Sequence, residues 1–512
     1  MKKSIFSGIA VAMLLAAPST VAFADSNKLV FLHTNDTHSR IDPEPESDLG
    51  GVARRKVLID SIRNEYENVV LIDAGDVVQG TLFFNLYKGE VENKVANALG
   101  YDIRILGNHE FDNGMDGVRL QVKGSDSQWL STNYTFSDPE LAKRFAPYTI
   151  RTFNGKKVGF IGLNLNPKGM IAAGSYDGVE YIDMYEAANA TAWLLKKREG
   201  CDLVVAVTHV GYRPGGSDTN DMKLASTSKH IDIILGGHSH TVLNPCLSKS
   251  VKPWVVANAD GEYVVIAQNG GSGKTMSEVI YDFGTKKFDY NVLTVDKRLD
   301  SRVDPKVEEI IAPYRAGVDS LMNLRVAKTD VDLTPKSPCL LNFLADYMKV
   351  RGNEMVGDVD FGMMNTGGVR NGIKAGDITE GQVLMMLPFN NKVEVISISG
   401  KDLIENFDII VGGGGISASV SSELDVTYDP IARKCTKVLY NGKPLDPAKT
   451  YKLAIIDYLA NGGDYMEPLT RARKVAVSNE KLSTDLLKYL RKNYSKKSLN
   501  LSHKKRIHTE GE

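Results

Sequence analysis

Five of the nine histidines in this 512-residue chain fall in short loops that also carry aspartate, asparagine and glycine: His38, His109, His209, His238 and His240. Carboxylate and amide oxygens together with imidazole nitrogens are good ligands for zinc or manganese. In Leu32-His33-Thr34-Asn35-Asp36-Thr37-His38, Asp36 and His38 stand two apart just beyond an apolar run, so both can turn into one site as the backbone leaves a strand. In Leu71-Ile72-Asp73-Ala74-Gly75-Asp76, Gly75 allows a tight turn and the Asp76 carboxylate can bridge two cations. In Gly107-Asn108-His109-Glu110-Phe111-Asp112, Asn108 offers a carbonyl oxygen. His109 would face the reacting group, with Asp112 near enough to hold its ring and raise its basicity. Thr208-His209 and Gly236-Gly237-His238-Ser239-His240 each follow an apolar strand-like run. A surface loop or helix cap explains any one of these motifs alone. It does not explain all of them, because each buried histidine needs its own partner. Two divalent ions about 3.5–4 Å apart would clamp a phosphate and activate a water. The predicted chemistry is therefore phosphate-ester hydrolysis, with a nucleophile, charge neutralisation and a proton donor for the leaving oxygen.

The elements that must hold these loops form an α/β pattern over residues 25–300. Short apolar strands are predicted at Leu29–Leu32, Val69–Ile72, Val158–Leu163, Leu203–Val207 and Ile231–Leu235, with helices at Val52–Tyr66 and Met184–Arg198. In open α/β sheets, ligands collect where loops leave the carboxyl ends of strands, and the His, Asp and Asn residues are placed there. Residues 301–330 read as an amphipathic connector helix with a break near Pro313. Residues 331–495 read as a second, α+β domain, with helices at Leu340–Val350 and Gly400–Ile409 and strands at Lys392–Ser399, Leu424–Tyr428 and Tyr451–Ile456. The tail, 496–512, closes a stretch with eight basic residues between Lys488 and Arg506 and reads as a solvated, partly disordered end. Gly270-Gly271-Ser272-Gly273-Lys274-Thr275 imitates a phosphate-binding P-loop, but Gln268 stands where that motif needs glycine and a strand-like run follows.

A chain this long exceeds one ordinary core. Hydrophobic residues at 42% and charged residues at 24% are the balance of a soluble globular protein. A net charge of −1 gives no reason to expect a nucleic-acid polymer or a membrane surface as partner. Lys2 and Lys3, the apolar run Ile9–Ala17 and Ala22-Phe23-Ala24 have the form of a cleaved signal peptide over 1–24, too short to span a bilayer stably. The mature protein is expected to be periplasmic or secreted. The four cysteines, Cys201, Cys246, Cys339 and Cys435, have no metal-binding spacing, and Cys201 reads as a buried thiol.

The blocks HTNDTH, DAGD, GNHEFD, THVG and GGHSH, in this order, resemble the calcineurin-like metallophosphoesterases and, within them, the bacterial 5′-nucleotidase/UDP-sugar hydrolase family. The resemblance covers roughly residues 28–470. It implies a four-layer α/β/β/α sandwich, a linker helix and a C-terminal nucleotide-binding domain that rotates during turnover. It also implies one metal held by Asp36, His38, Asp76 and His240, and a second held by Asp76, Asn108, His209 and His238. His109 and Asp112 would form the catalytic dyad. In the second domain Asn365-Thr366-Gly367-Gly368-Val369-Arg370 is similar to the family's NxGGxR loop, where Arg370 would grip phosphate or a terminal carboxylate. Phe389 and Tyr458 would stack on the base, Tyr458 standing where the family usually has phenylalanine, and Asp464 matches an acid that contacts ribose. One stretch departs: the arginines expected near Thr334-Pro335-Lys336-Ser337 are absent, and Lys336 offers charge without a two-pronged contact.

The expected activity is hydrolysis of nucleoside 5′-monophosphates, with UDP-sugars as further substrates and two zinc or manganese ions as cofactors. The alternatives are a 2′,3′-cyclic-nucleotide phosphodiesterase/3′-nucleotidase, a thiosulfate-releasing relative, and a surface-binding protein with a decayed site. The sequence leaves the oligomeric state open.

Overall fold

The computed structural model describes residues 27–45, 47–212, 219–245, 254–413 and 415–511. The expected signal segment and Cys246 lie outside the described residues. Among the described residues Cys201, Cys339 and Cys435 are free thiols, Cys201 buried as expected, and no helix is long and apolar enough to cross a membrane.

Two sheets face each other in the N-terminal domain. The first is seven-stranded, in the order Lys287–Thr294, Thr275–Asp282, Lys28–Thr34, Val69–Asp73, Ile103–Arg104, Gln128–Leu130, Phe145–Ala146. The second is six-stranded, in the order Val255–Ala257, Tyr263–Ala267, Ile233–Leu235, Leu203–His209, Lys156–Asn164, Tyr148–Phe153. The central strands are apolar on both faces because both are covered. Phe31, Ile72 and Ile103 from one sheet share a core with Phe160, Val205 and Ile234 from the other. Helices Val52–Glu65 and Glu90–Leu99 cover the outer face of the first sheet. Met184–Lys197 and Asp221–Thr227 contact strands of the second. The result is the expected four-layer α/β/β/α sandwich.

The stretch 301–330 differs from expectation. Helix Pro305–Met322 runs unbroken through Pro313. Proline there removes one backbone donor, and its position on the exposed side lets water satisfy the freed carbonyl. Arg325–Thr329 is a strand, paired with Gly376–Thr379.

The C-terminal domain has its own core, in which helix Pro338–Val356 packs on a five-stranded sheet ordered Ala418–Val420, Phe361–Asn365, Thr450–Ile456, Lys392–Ser399, Arg473–Lys481. The tail is not a solvated end. Ile507–Thr509 pairs in parallel with Leu424–Asp429. Arg506, 6% exposed, donates to both Asp346 oxygens (2.8 Å each) and to the Val420 carbonyl (2.8 Å). A charge count could not reveal this, because one arginine and one isoleucine decide it.

Candidate metal centre and cleft

Both sheets end their central parallel strands on the same side, and the five motifs meet there. Lys28–Thr34 pairs in parallel with Val69–Asp73, placing the Asp36 and Asp76 loops side by side; Asp36 N–H donates to Gly75 O (2.9 Å) and His38 N–H to Asp76 O (3.0 Å). Leu203–His209 pairs in parallel with Ile233–Leu235, which sets His209 beside the His238–His240 loop. Gly107 permits close approach, since a Cβ there would lie 2.2 Å from Asp76 Oδ1.

Two clusters of ligand atoms result, Asp36/His38/His240 and Asp76/His209/His238. In the first, His38 Nε2 and His240 Nε2 are 3.0 Å apart, and His240 Nε2 is 3.3 Å from Asp36 Oδ1. In the second, His209 Nε2 is 3.2 Å from Asp76 Oδ2, and His238 Nδ1 is 2.9 Å from Asn108 Oδ1. His209 donates from Nδ1 to the Ala74 carbonyl (2.7 Å), which turns Nε2 toward the site. That Nε2 is fully buried and faces the Asp76 carboxylate, a position that suits a metal ligand.

Backbone strain marks the same residues. Asp36, His38, Asp76, His238 and His240 have φ values of 51°, 48°, 54°, 75° and 49°, the left-handed region. Each costs on the order of 1–3 kcal/mol and persists only where surroundings enforce it, typically at functional sites.

The electrostatics favour cations. Burial would raise the Asp36 pKa, but His240 and His209 hold it at about 2. Burial likewise opposes ionisation of Asp76, and His209 and His109 outweigh it, keeping its pKa well below the ordinary carboxylate value. Burial, reinforced by His209, lowers His238 to about 4, and His38 is lowered mainly by burial. Ionised carboxylates and neutral imidazoles are the protonation states that metal binding requires. His209 is the exception: burial would lower it, but the Asp76 carboxylate raises it to about 10. Below that pH the metal-free protein holds a proton there that a cation must displace. Metal affinity should therefore rise with pH between 7 and 9, with close to one proton released per chain on loading. Calorimetry in buffers of different ionisation enthalpy measures that release, and pH-independent affinity with no proton release would refute it.

His109 stands beside the clusters. Its backbone N–H donates to Asp76 Oδ1 (2.9 Å) and its Nδ1 lies 3.0 Å from Asp112 Oδ2. Burial works against protonation of His109, but Asp112 and Asp76 raise its pKa above the ordinary value. The other ring nitrogen, Nε2, is 3.9 Å from Asp76 Oδ2.

Above this floor is a cleft of about 460 Å³, lined by Asp76, Asn108, His109, Asp112, His238 and His240 on one side and by Asn365, Arg370, Phe389, Tyr458 and Asp464 on the other. Asp36, His38 and His209 are absent from the cleft lining and lie in the buried floor. The Phe389 ring stacks on His109 (centroids 5.8 Å, 25°). Tyr458 is backed by Gly463, where a Cβ would fall 2.4 Å from the ring. Both Asp464 oxygens are engaged, one by Asn365 Nδ2 (2.7 Å) and the other by the Tyr458 hydroxyl (3.0 Å). Lys336 is exposed and absent from the cleft lining, so it does not replace the missing arginines there.

Several supporting residues were not legible in the sequence as such. Glu110 accepts from the N–H groups of Asp76, Val77 and Gly107, holding the Asp76 turn against the Asn108 loop. Asn35 donates to Asp36 Oδ2 (2.6 Å) and to the Gly270 carbonyl (2.6 Å). Both sit inside recognisable motifs, but their partners are distant in sequence.

Residues 29–242 match the family model described as calcineurin-like phosphoesterase, and residues 321–471 match that described as 5′-nucleotidase, C-terminal domain. A 5′-nucleotidase of Vibrio cholerae is 29% identical over 511 residues, covering 91% of this chain and 92% of that protein. A trifunctional nucleotide phosphoesterase of Bacillus subtilis is 28% identical over 499 residues; the match takes in 87% of this chain but only 32% of the longer relative. The crystal structure of a 5′-nucleotidase precursor from Thermus thermophilus superposes with a TM-score of 0.82 at 28% identity, covering 95% of this chain and 100% of that one. The chain belongs to the calcineurin-like metallophosphoesterases that carry a 5′-nucleotidase C-terminal domain, and it is a metal-dependent phosphoric ester hydrolase.

Proposed function

We propose that the protein hydrolyses nucleoside 5′-monophosphates outside the cytoplasm, using two divalent cations of the zinc or manganese type. The observation that carries this reading is one cleft that holds two ligand clusters and the His109–Asp112 pair at its floor and is also lined by two aromatic rings, Phe389, stacked on His109, and Tyr458. In this reading Asp36, His38, Asp76 and His240 would hold one cation, and Asp76, Asn108, His209 and His238 the other. Divalent cations held there would supply charge neutralisation for a phosphate and lower the pKa of a water toward neutrality. Arg370 meets the phosphate from the second domain as a planar cation. His109, fixed through Nδ1 by Asp112, presents Nε2 to the phosphate and delivers a proton to the departing 5′-oxygen. Phe389 and Tyr458 take the base between their faces. Export rests on Lys2, Lys3 and the apolar run Ile9–Ala17.

Phosphate release from AMP, 3′-AMP, 2′,3′-cyclic AMP and UDP-glucose, with manganese or zinc added and then chelated, tests the proposal. AMP should turn over fastest and chelation should abolish the rate. No turnover of AMP with either metal would refute it, and preference for 3′-AMP or the cyclic nucleotide would transfer the assignment to the alternative class. Tyr458→Ala should raise KM for AMP by about 5- to 150-fold, since stacking contributes about 1–3 kcal/mol per base, and leave turnover of p-nitrophenyl phosphate unchanged. Equal KM values would remove Tyr458 from the base site.

A further inference from the structure

The segment that imitates a P-loop has a different position in the fold. Tyr263–Ala267 runs parallel to Ile233–Leu235 with Ala267 opposite Leu235, so the chain after Ala267 leaves the sheet beside the loop that carries His238 and His240. The two are zipped together by Gly236 N–H to Ala267 O (2.8 Å), Leu243 N–H to Gln268 O (2.9 Å) and Gly270 N–H to Thr241 O (3.1 Å). Gln268 is 0% exposed, and both its amide nitrogen and its amide oxygen bond to that loop. Its Nε2 donates to the Gly237 carbonyl (2.8 Å), and its Oε1 accepts from Thr241 N–H (2.6 Å) and from the Ser239 hydroxyl (2.9 Å). The amide orientation follows from these partners. Turned over, it would set a carbonyl against the Gly237 carbonyl and an NH₂ against the Thr241 N–H.

These three contacts fall on residues 237, 239 and 241, which alternate with His238 and His240. Both histidines are in the left-handed region (φ 75° and 49°), a conformation non-glycine residues hold only under constraint. They also belong to different ligand clusters. His240 is the most exposed ligand candidate, with 43% of its side chain accessible, so side-chain packing does little to fix it. Beyond Gln268 the same segment reaches the first metal loop: Asn269 N–H donates to Asn35 Oδ1 (3.2 Å), and Ser272 N–H donates to Asp36 O (2.7 Å).

We infer that Gln268 is the positioning residue of the metal centre, a single buried amide that holds one histidine of each cluster in place. This rests on the proposed two-cation reading. Outer residues that orient metal ligands typically contribute 10–100-fold in affinity. Gln268→Met keeps the length and removes all three bonds. Gln268→Glu keeps the acceptor for Thr241 and Ser239, and loses the donor to Gly237.

Affinity for Zn²⁺ and Mn²⁺ is measured on the full mature chain by competition with a chromophoric chelator, with bound metal counted by elemental analysis. The unfolding midpoint of each metal-free variant is recorded alongside. The expected result is two ions per wild-type chain, a 10–100-fold loss at both sites in Gln268→Met, and a smaller loss in Gln268→Glu. Either variant folding with wild-type affinity at both sites would overturn the inference, as would a loss confined to one site. A fall in metal-free stability with unchanged affinity would show a merely structural glutamine and would also overturn it. If Gln268→Met does not fold, Gln268→Glu decides by the same criteria. Wild-type protein that binds no metal would instead refute the two-cation reading itself.

Discussion

Replacing Asp76 by asparagine is expected to lower phosphate release from AMP by at least about three orders of magnitude and to deplete bound metal. The Asp76 carboxylate is 2% exposed, with Oδ2 3.2 Å from His209 Nε2 and Oδ1 accepting the His109 backbone N–H (2.9 Å). It is therefore shared by a ligand cluster and by the residue placed to move the proton. Asparagine preserves the shape but removes the charge, and it offers an NH₂ where a lone pair is needed. The change also releases His209: without the Asp76 charge its pKa falls from about 10, since burial then dominates. The remaining site would be a set of neutral imidazoles with only Asp36 to attract two dications, and affinity falls steeply when ligand charge is lost. Elemental analysis and the AMP assay measure both effects. Full metal occupancy with an undiminished rate in Asp76→Asn would exclude Asp76 as a shared ligand.

His109→Asn should separate metal binding from chemistry. Its ring is not a member of either ligand cluster, so both cations should remain. The loss should appear in kcat, by about 10²–10⁴-fold, the usual contribution of a positioned general acid. Asp112→Asn should have a smaller effect of the same kind, because the 3.0 Å contact to Nδ1 orients the ring and raises its basicity. The sign of the pH effect follows. The folded His109 pKa is raised by Asp112 and Asp76, so the protonated, acid-competent form persists to higher pH and activity declines as pH rises through that value. Removing Asp112 should move the decline to lower pH. A substrate with a good leaving group, such as p-nitrophenyl phosphate, needs no protonation and should be largely spared. Equal losses on AMP and on p-nitrophenyl phosphate would show that His109 acts on binding or on metal geometry instead.

Phe389 lies on the His109 ring at 5.8 Å between centroids. Phe389 and His109 are thus in direct contact across the domain boundary, which is reinforced where Asn390 Nδ2 donates to Asp112 O (3.2 Å).

The metal centre was legible in the sequence because ligand chemistry is local. Asp36 and His38, or His238 and His240, must be close in the chain if one loop is to present both, and the apolar run before each pair marks a strand end. The sandwich was legible for a related reason, since strands covered on both faces are apolar throughout. The unbroken helix across Pro313, the strand at Arg325–Thr329 and the docked tail were not, because each depends on a partner far away. Tyr458 and Asp464 show the same limit. Their types were informative, but the hydroxyl–carboxylate bond at 3.0 Å that ties them together was not.

By itself the sequence pointed to the side chains that the structure gathers into two ligand-type clusters, to the adjoining His109–Asp112 pair, and to a chain of two domains. Tertiary structure alone decided what holds those side chains still. Gln268, which stands where a P-loop needs glycine, bonds to residues 237, 239 and 241, alternating with His238 and His240, because parallel pairing places Ala267 opposite Leu235. The reason is geometric: ligand identity is a property of residues, whereas the left-handed backbone at Asp36, His38, Asp76, His238 and His240 exists only where surrounding elements enforce it.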